Sequence, residues 1–173
     1  MTWREDLSWS NKFLPEIKRI LGEYLISAAP MEEDAEHNTD LIVLKLDAIR
    51  IACRIRRYDY LARYPNEFTI RSGRPNGCKT ELTKIIEGWG DYFFYGFSDE
   101  QETGLAAWSL CNLKVFRLWF NEQLFTHKQA PGQKQNNGDG SSSFRAFSIF
   151  ALPGEFVIAR KNWEKELIPN GAW

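Results

Sequence analysis

The stretch "HNTDLIVLKLDAIRIACRIRRYDY", residues 37–60, sets one carboxylate, Asp40, beside four guanidinium groups, Arg50, Arg54, Arg56 and Arg57. A guanidinium is a planar fork of donors that meets a phosphate or a carboxylate at two points. Arg54 and Arg56 are two residues apart, so in a strand they leave the same face. Farther along, Glu67 opens "EFTIR", with Thr69 and Arg71 on its own face. The spacing predicts a mixed-charge polar site in which Arg54 and Arg56 share a face with Asp40 and Glu67. The plainer alternative makes Asp40 a turn acid and the two arginines charges that block edge-to-edge pairing.

Such a site needs a sheet to hold it. In "FLPEIKRILGEYLIS" the apolar residues recur at helical spacing and Pro15 suits a first turn, which predicts a helix over 13–28. Residues 40–57 read as an antiparallel hairpin turning at Asp47–Ala48, with Ile51 and Cys53 buried. "EFTIRS" is a third strand, "KTELTKIIEGW" a second helix, and "DYFFYGF" a fourth strand rich in aromatics. Gly88 or Gly90 ends that helix, with Trp89 docked between them as an anchor. Glu81 and Lys84 read as a surface pair three residues apart.

The segment 102–125 reads as a helix running into a strand or a second helix. "FRAFSIFAL" and "EFVIARKNW" read as a late strand pair or a strand and a helix. "QKQNNGDGSSS", residues 133–143, has no large apolar residue to offset its ordering entropy, so a mobile excursion is expected there. The order implies an α/β chain of the α+β mixed-sheet kind. It forms one domain over 1–173, with a core at 13–97 and a C-terminal elaboration at 98–173.

Bulk composition narrows the partners. The chain has 173 residues, 43% apolar and 26% charged, with a formal net charge of -1, so a nucleic-acid partner must find a local basic patch. Tyr58, Tyr60, Tyr64 and Trp89 lie beside basic residues and could stack on unpaired bases. Cys53, Cys78 and Cys111 are scattered and odd in number, which suits neither a disulfide framework nor a zinc cluster. The sequence shows no apolar run long enough for a membrane span, and a cytoplasmic protein is expected.

The element order and "TDLIVL" resemble the PD-(D/E)XK nuclease superfamily, in which a helix precedes a strand that opens with Asp. Asp40 stands at the metal-binding Asp of that pattern. "IACRIRR" stands at the (D/E)xK strand but carries no carboxylate. The stretches "FLPEIKRILG", "EEDAEHNTDLIVL", "IACRIRR", "YPNEFTIR", "TELTKIIEGWGD" and "FYGF" are also similar to a group of uncharacterised bacteriophage proteins, over residues 13–97.

The resemblance implies a restriction-endonuclease-like αβββαβ core in a phage-encoded protein acting on nucleic acid in the host cytoplasm. It further implies phosphodiester hydrolysis with Mg²⁺ held by Asp40 and a relocated acid, Glu67 or Glu81, of which Glu67 is the first choice. Arg54 would act beside that metal, and Arg54, Arg56, Arg57 and Arg71 would contact nucleic acid. Magnesium needs two or more carboxylates for this chemistry. The missing acid of the second strand therefore supports an alternative, an inactive nuclease-fold protein that binds and modulates a host or phage protein.

Overall fold

In the computed structural model the described residues are 3–28, 41–43 and 49–162. Helix α1 (Trp3–Asn11) leads into α2 (Leu14–Leu25). Phe13, Ile17, Ile20 and Leu21 form the buried stripe of this pair, and it lies on Ile55, Phe94, Trp108 and Leu110. The helix expected over 13–28 ends at Leu25. Beyond it β1 (Ile26–Ala28) pairs antiparallel with β2 (Leu41–Val43).

The sheet under α2 has four strands in the order β3 (Ile51–Arg56), β5 (Tyr92–Ser98), β6 (Leu105–Asn112), β9 (Val157–Lys161). β3 runs parallel to β5, and the other two pairs are antiparallel. β5 is covered on both sides. Phe94 faces the helical layer, while Phe93, Tyr95 and Phe97 face a second core. A strand buried on both faces reads as an unbroken apolar run, which is why "DYFFYGF" has no polar alternation.

The second core is closed by a three-stranded antiparallel sheet, β4 (Glu67–Gly73), β8 (Ser143–Ser148) and β7 (Gln133–Asn136). Two helices join it, α4 (Glu81–Ile86) and α5 (Leu113–His127), and the short α3 (Asp59–Arg63) bridges β3 to β4. Asn112 ends β6 and caps α5, its side-chain oxygen accepting from the N–H groups of Lys114 at 2.9 Å and Val115 at 3.3 Å. Asn112→Ala is expected to cost about 1 kcal/mol, seen as a lower denaturant midpoint at unchanged slope.

The mixed α+β class is as expected, and several details differ. β3 pairs with β5 rather than folding back on β2 in an antiparallel hairpin, and β4 joins the second sheet. The described strands therefore do not assemble into the single αβββαβ sheet. The turn expected at Asp47–Ala48 lies outside the described residues. Of the two residues expected to be buried, Ile51 is half-buried and Cys53 is exposed; among the described strands β3 lies at the edge of its sheet. The segment 102–125 is a strand followed by a helix, the reverse of the expected order. "FRAFSIFAL" and "EFVIARKNW" do each contribute a strand, but to different sheets.

The excursion at 133–143 is instead ordered as β7 and a tight turn. Arg145 holds its base, donating from Nη1 to the carbonyls of Ala130, Pro131 and Gly132 at 2.8, 3.1 and 2.7 Å. Asn137 closes the turn with a 2.7 Å hydrogen bond to Ser142 Oγ. These polar contacts, rather than apolar burial, offset the ordering cost.

Candidate functional site

Thr69, buried on β4, is where the polar side chains converge. Its hydroxyl meets Arg54 Nη1 at 3.4 Å, Arg56 Nη1 at 3.2 Å and the Tyr95 hydroxyl at 3.4 Å. The period-2 argument thus places Arg54 and Arg56 correctly on one face, looking across to β4. Two concavities lie beside these arginines, one lined by Arg54 and the other by Arg56 and Thr69 itself.

The first is a groove of about 480 Å³ between β3, β4 and α4. Arg50, Arg54, Arg71, Arg74, Lys79 and Lys84 line it, against one lining carboxylate, Glu81. Glu81 Oε2 takes a 2.5 Å charge-assisted bond from Arg54 Nη2 and a 3.1 Å bond from the backbone N–H of Arg71. Its partner is therefore Arg54, not the Lys84 expected from helical spacing. Lys79 pairs with Glu87 at 2.7 Å. Asp91 receives the backbone N–H of Arg50 at 2.8 Å.

Among the described residues, no carboxylate lies within ion-pair distance of the Arg50, Arg74 or Lys84 side chains. At the mouth stands Trp89, 62% exposed, which is a correction to the docked anchor expected of it. Gly88 and Gly90 both have positive φ, 100° and 82°, so the helix stops abruptly and throws the indole outward.

The second concavity, about 220 Å³, contains Arg56 and Glu67 together with Tyr60 of α3, Tyr64 just after it and the β7–β8 turn. Of the residues expected to share one face with Asp40, Arg56 and Glu67 line this cavity, whereas Arg54 lines the groove. Asp40 lies outside the described residues. Arg57 leaves β3 on the opposite face, against Trp9 and Glu102. The indole N–H of Trp9 and the ammonium of Lys12 hold the Glu102 carboxyl below its usual range, and the Arg57 charge adds to this. Arg57 therefore ties α1 to the β5–β6 turn and stands apart from Arg54, Arg56 and Arg71.

Among the described residues no group of three or more His, Cys, Asp or Glu side chains gathers. Glu67 and Glu81 open on different concavities, and Glu81 is already engaged by Arg54. These two acids do not together fit a magnesium ion. The thiols offer no nucleophile at the groove either. Cys111 sits between the sheets, and burial pushes its pKa up to about 12.

Arg50 and Trp89 had a sequence signal, a guanidinium at the start of the basic strand and an aromatic amid charge. Arg74, Lys79 and Lys84 had none, because only the approach of α4 to β3 brings them alongside Arg54.

The molecule is thus a mixed α+β protein with a basic groove and a polar cavity, one arginine from each reaching the same buried threonine. In comparisons with known proteins, no family model, no curated protein and no solved structure matches the chain. Among the described residues, no helix is long and apolar enough to cross a membrane.

Proposed function

We propose that the protein binds single-stranded nucleic acid along the groove, phosphates on its arginines and lysines and a base stacked on Trp89. One observation carries this: six cationic side chains surround an exposed indole with a single lining carboxylate, in a chain whose net charge is -1. The field in the groove is therefore far from the molecular average, and cations with aromatic platforms are what an unpaired strand requires. Its cations come from three elements and the loops beside them, which suits a flexible strand tracked by its backbone.

The test is binding of labelled oligo-dT and oligo-U. The triple variant Arg74→Glu, Lys79→Glu, Lys84→Glu is expected to weaken both by about a hundredfold or more at low salt. These side chains are exposed, so the melting temperature should stay close to that of the parent. Trp89→Ala should cost about 1–3 kcal/mol of affinity. Equal affinity for parent and triple variant overturns the reading.

Hydrolysis belongs to this reading only through Asp40. Mg²⁺-dependent cleavage that survives in the parent and disappears in Asp40→Ala would add it. A second reading, a phage or host protein partner on the same fold, is favoured by Leu118 and Phe125. They lie seven residues apart on α5 and are 66% and 77% exposed. It gains if oligonucleotides fail to bind the parent at all.

A further inference from the structure

The cavity beside the groove has a chemistry of its own. Arg56 lays its guanidinium carbon 4.0 Å from the centroid of the Tyr60 ring and reaches Thr69 Oγ1 at 3.2 Å. Glu67 lies two residues before Thr69 on β4 and leaves the same face, roughly 7 Å along the strand. A donor-only fork and an acceptor-only carboxylate therefore stand about one small ring apart. Among the described residues, nothing donates a hydrogen bond to the Glu67 carboxylate, while its backbone N–H goes to the Tyr64 carbonyl at 3.3 Å.

The remaining walls are flat and apolar or neutral. Tyr60 and Tyr64 stack at 6.4 Å between centroids, Phe97 and Phe144 lie opposite, and the β7–β8 turn forms the lip. At about 220 Å³ the space is smaller than the roughly 300–1,000 Å³ that encloses a drug-sized ligand. It suits one planar ring system, with anything attached to that ring left outside. Outside, on the groove side, is Arg54, which shares the Thr69 hydroxyl with Arg56.

The occupant must present two acceptors to Arg56 and, beside them, two donors to Glu67. Guanine does so: O6 and N7 accept on one edge, and N1–H and the 2-amino group donate on the next. Adenine sets a donor amino group where the fork needs an acceptor. Cytosine and uracil lack the N7 that completes the two-point contact with arginine. We propose that this cavity binds a guanine base, with Arg56 on O6 and N7, Glu67 on N1–H and the 2-amino group, and Tyr64 against the ring. The base belongs either to a strand lying in the groove or to a free guanine nucleotide; for the strand, the inference rests on the groove reading.

The test is calorimetric titration of the full chain with GMP, AMP, CMP and UMP at one ionic strength, beside oligo-dT with and without a single dG. GMP is expected to bind at least about tenfold tighter than the other three. Glu67→Gln should bring GMP down to the level of AMP and leave oligo-dT binding unchanged. Tyr64→Ala, at an exposed position just past α3, should weaken all four mononucleotides together.

A gain from the single dG assigns the base to a strand, and a GMP preference without that gain assigns it to a free nucleotide. The absence of a GMP preference, or a preference that Glu67→Gln leaves intact, overturns the inference. Oligo-dT binding without a GMP preference overturns this inference alone. A GMP preference without any oligonucleotide binding overturns the groove reading alone.

Discussion

Phe68→Ala is expected to destabilise the protein by about 3–5 kcal/mol, a large part of the roughly 5–15 kcal/mol that holds a domain of this size folded. The ring is 1% exposed and lies where the second core converges. Phe156 and Phe147 stand 5.2 and 5.3 Å from it, and Phe116 and Phe93 at 6.1 and 6.2 Å, between centroids. These neighbours come from three separate elements and the turn before β9, so no single one can move in to fill the space. The cavity term should therefore add to the lost transfer free energy. Phe150, 48% exposed, is the control, and its replacement by Ala should change stability by no more than about 0.5 kcal/mol. Urea denaturation measures both. If Phe68→Ala shifts the midpoint no more than Phe150→Ala, the two-sheet core is wrongly drawn.

What the sequence revealed and what it hid divide along a physical line. Local signals held. The stripe from Phe13 to Leu21 made a helix, and the alternation from Ile51 to Arg56 put Arg54 and Arg56 on one face. Pairing did not follow, because "IACRIRR" carries the same period whether its neighbour is β2 or β5. Only tertiary contact decides that, and here β5 was chosen across an intervening strand and two helices.

The polar turn at 133–143 misled for another reason. Its order is supplied by Arg145 from the following strand, a contact that composition cannot announce. Gly132, between the two, carries φ of 82° under the Phe147 ring, so the turn also needs a residue without a side chain. For the site, Arg54, Arg56, Arg71 and Glu67 were legible from charge and strand parity, and they do face the two concavities. Arg57 was not separable from them by type, although its odd position already set it on the other face.

The groove reading makes a second large prediction, one that depends on counting charges. Each phosphate neutralised by a lysine or arginine releases condensed counterion. For a single strand log K should then fall against log salt with a slope near -0.7 for each contact. With all six groove cations engaged the slope is about -4, so raising salt from about 50 to 200 mM should weaken oligo-dT binding by roughly two and a half orders of magnitude. Arg54 is already paired with Glu81, and Lys79 with Glu87, so their contacts release less and the slope could only be shallower than this bound. Glu81→Gln is then the informative variant. It frees Arg54 and removes the one lining carboxylate, which should steepen the slope and tighten binding at low salt, even as the lost 2.5 Å bond lowers the melting temperature. Fluorescence anisotropy over a salt series measures the slope for the parent, for Glu81→Gln and for Lys84→Ala, whose slope should be shallower by about 0.7. A parent slope near zero, or a Glu81→Gln slope no steeper than the parent's, would mean that the strand does not lie in this groove.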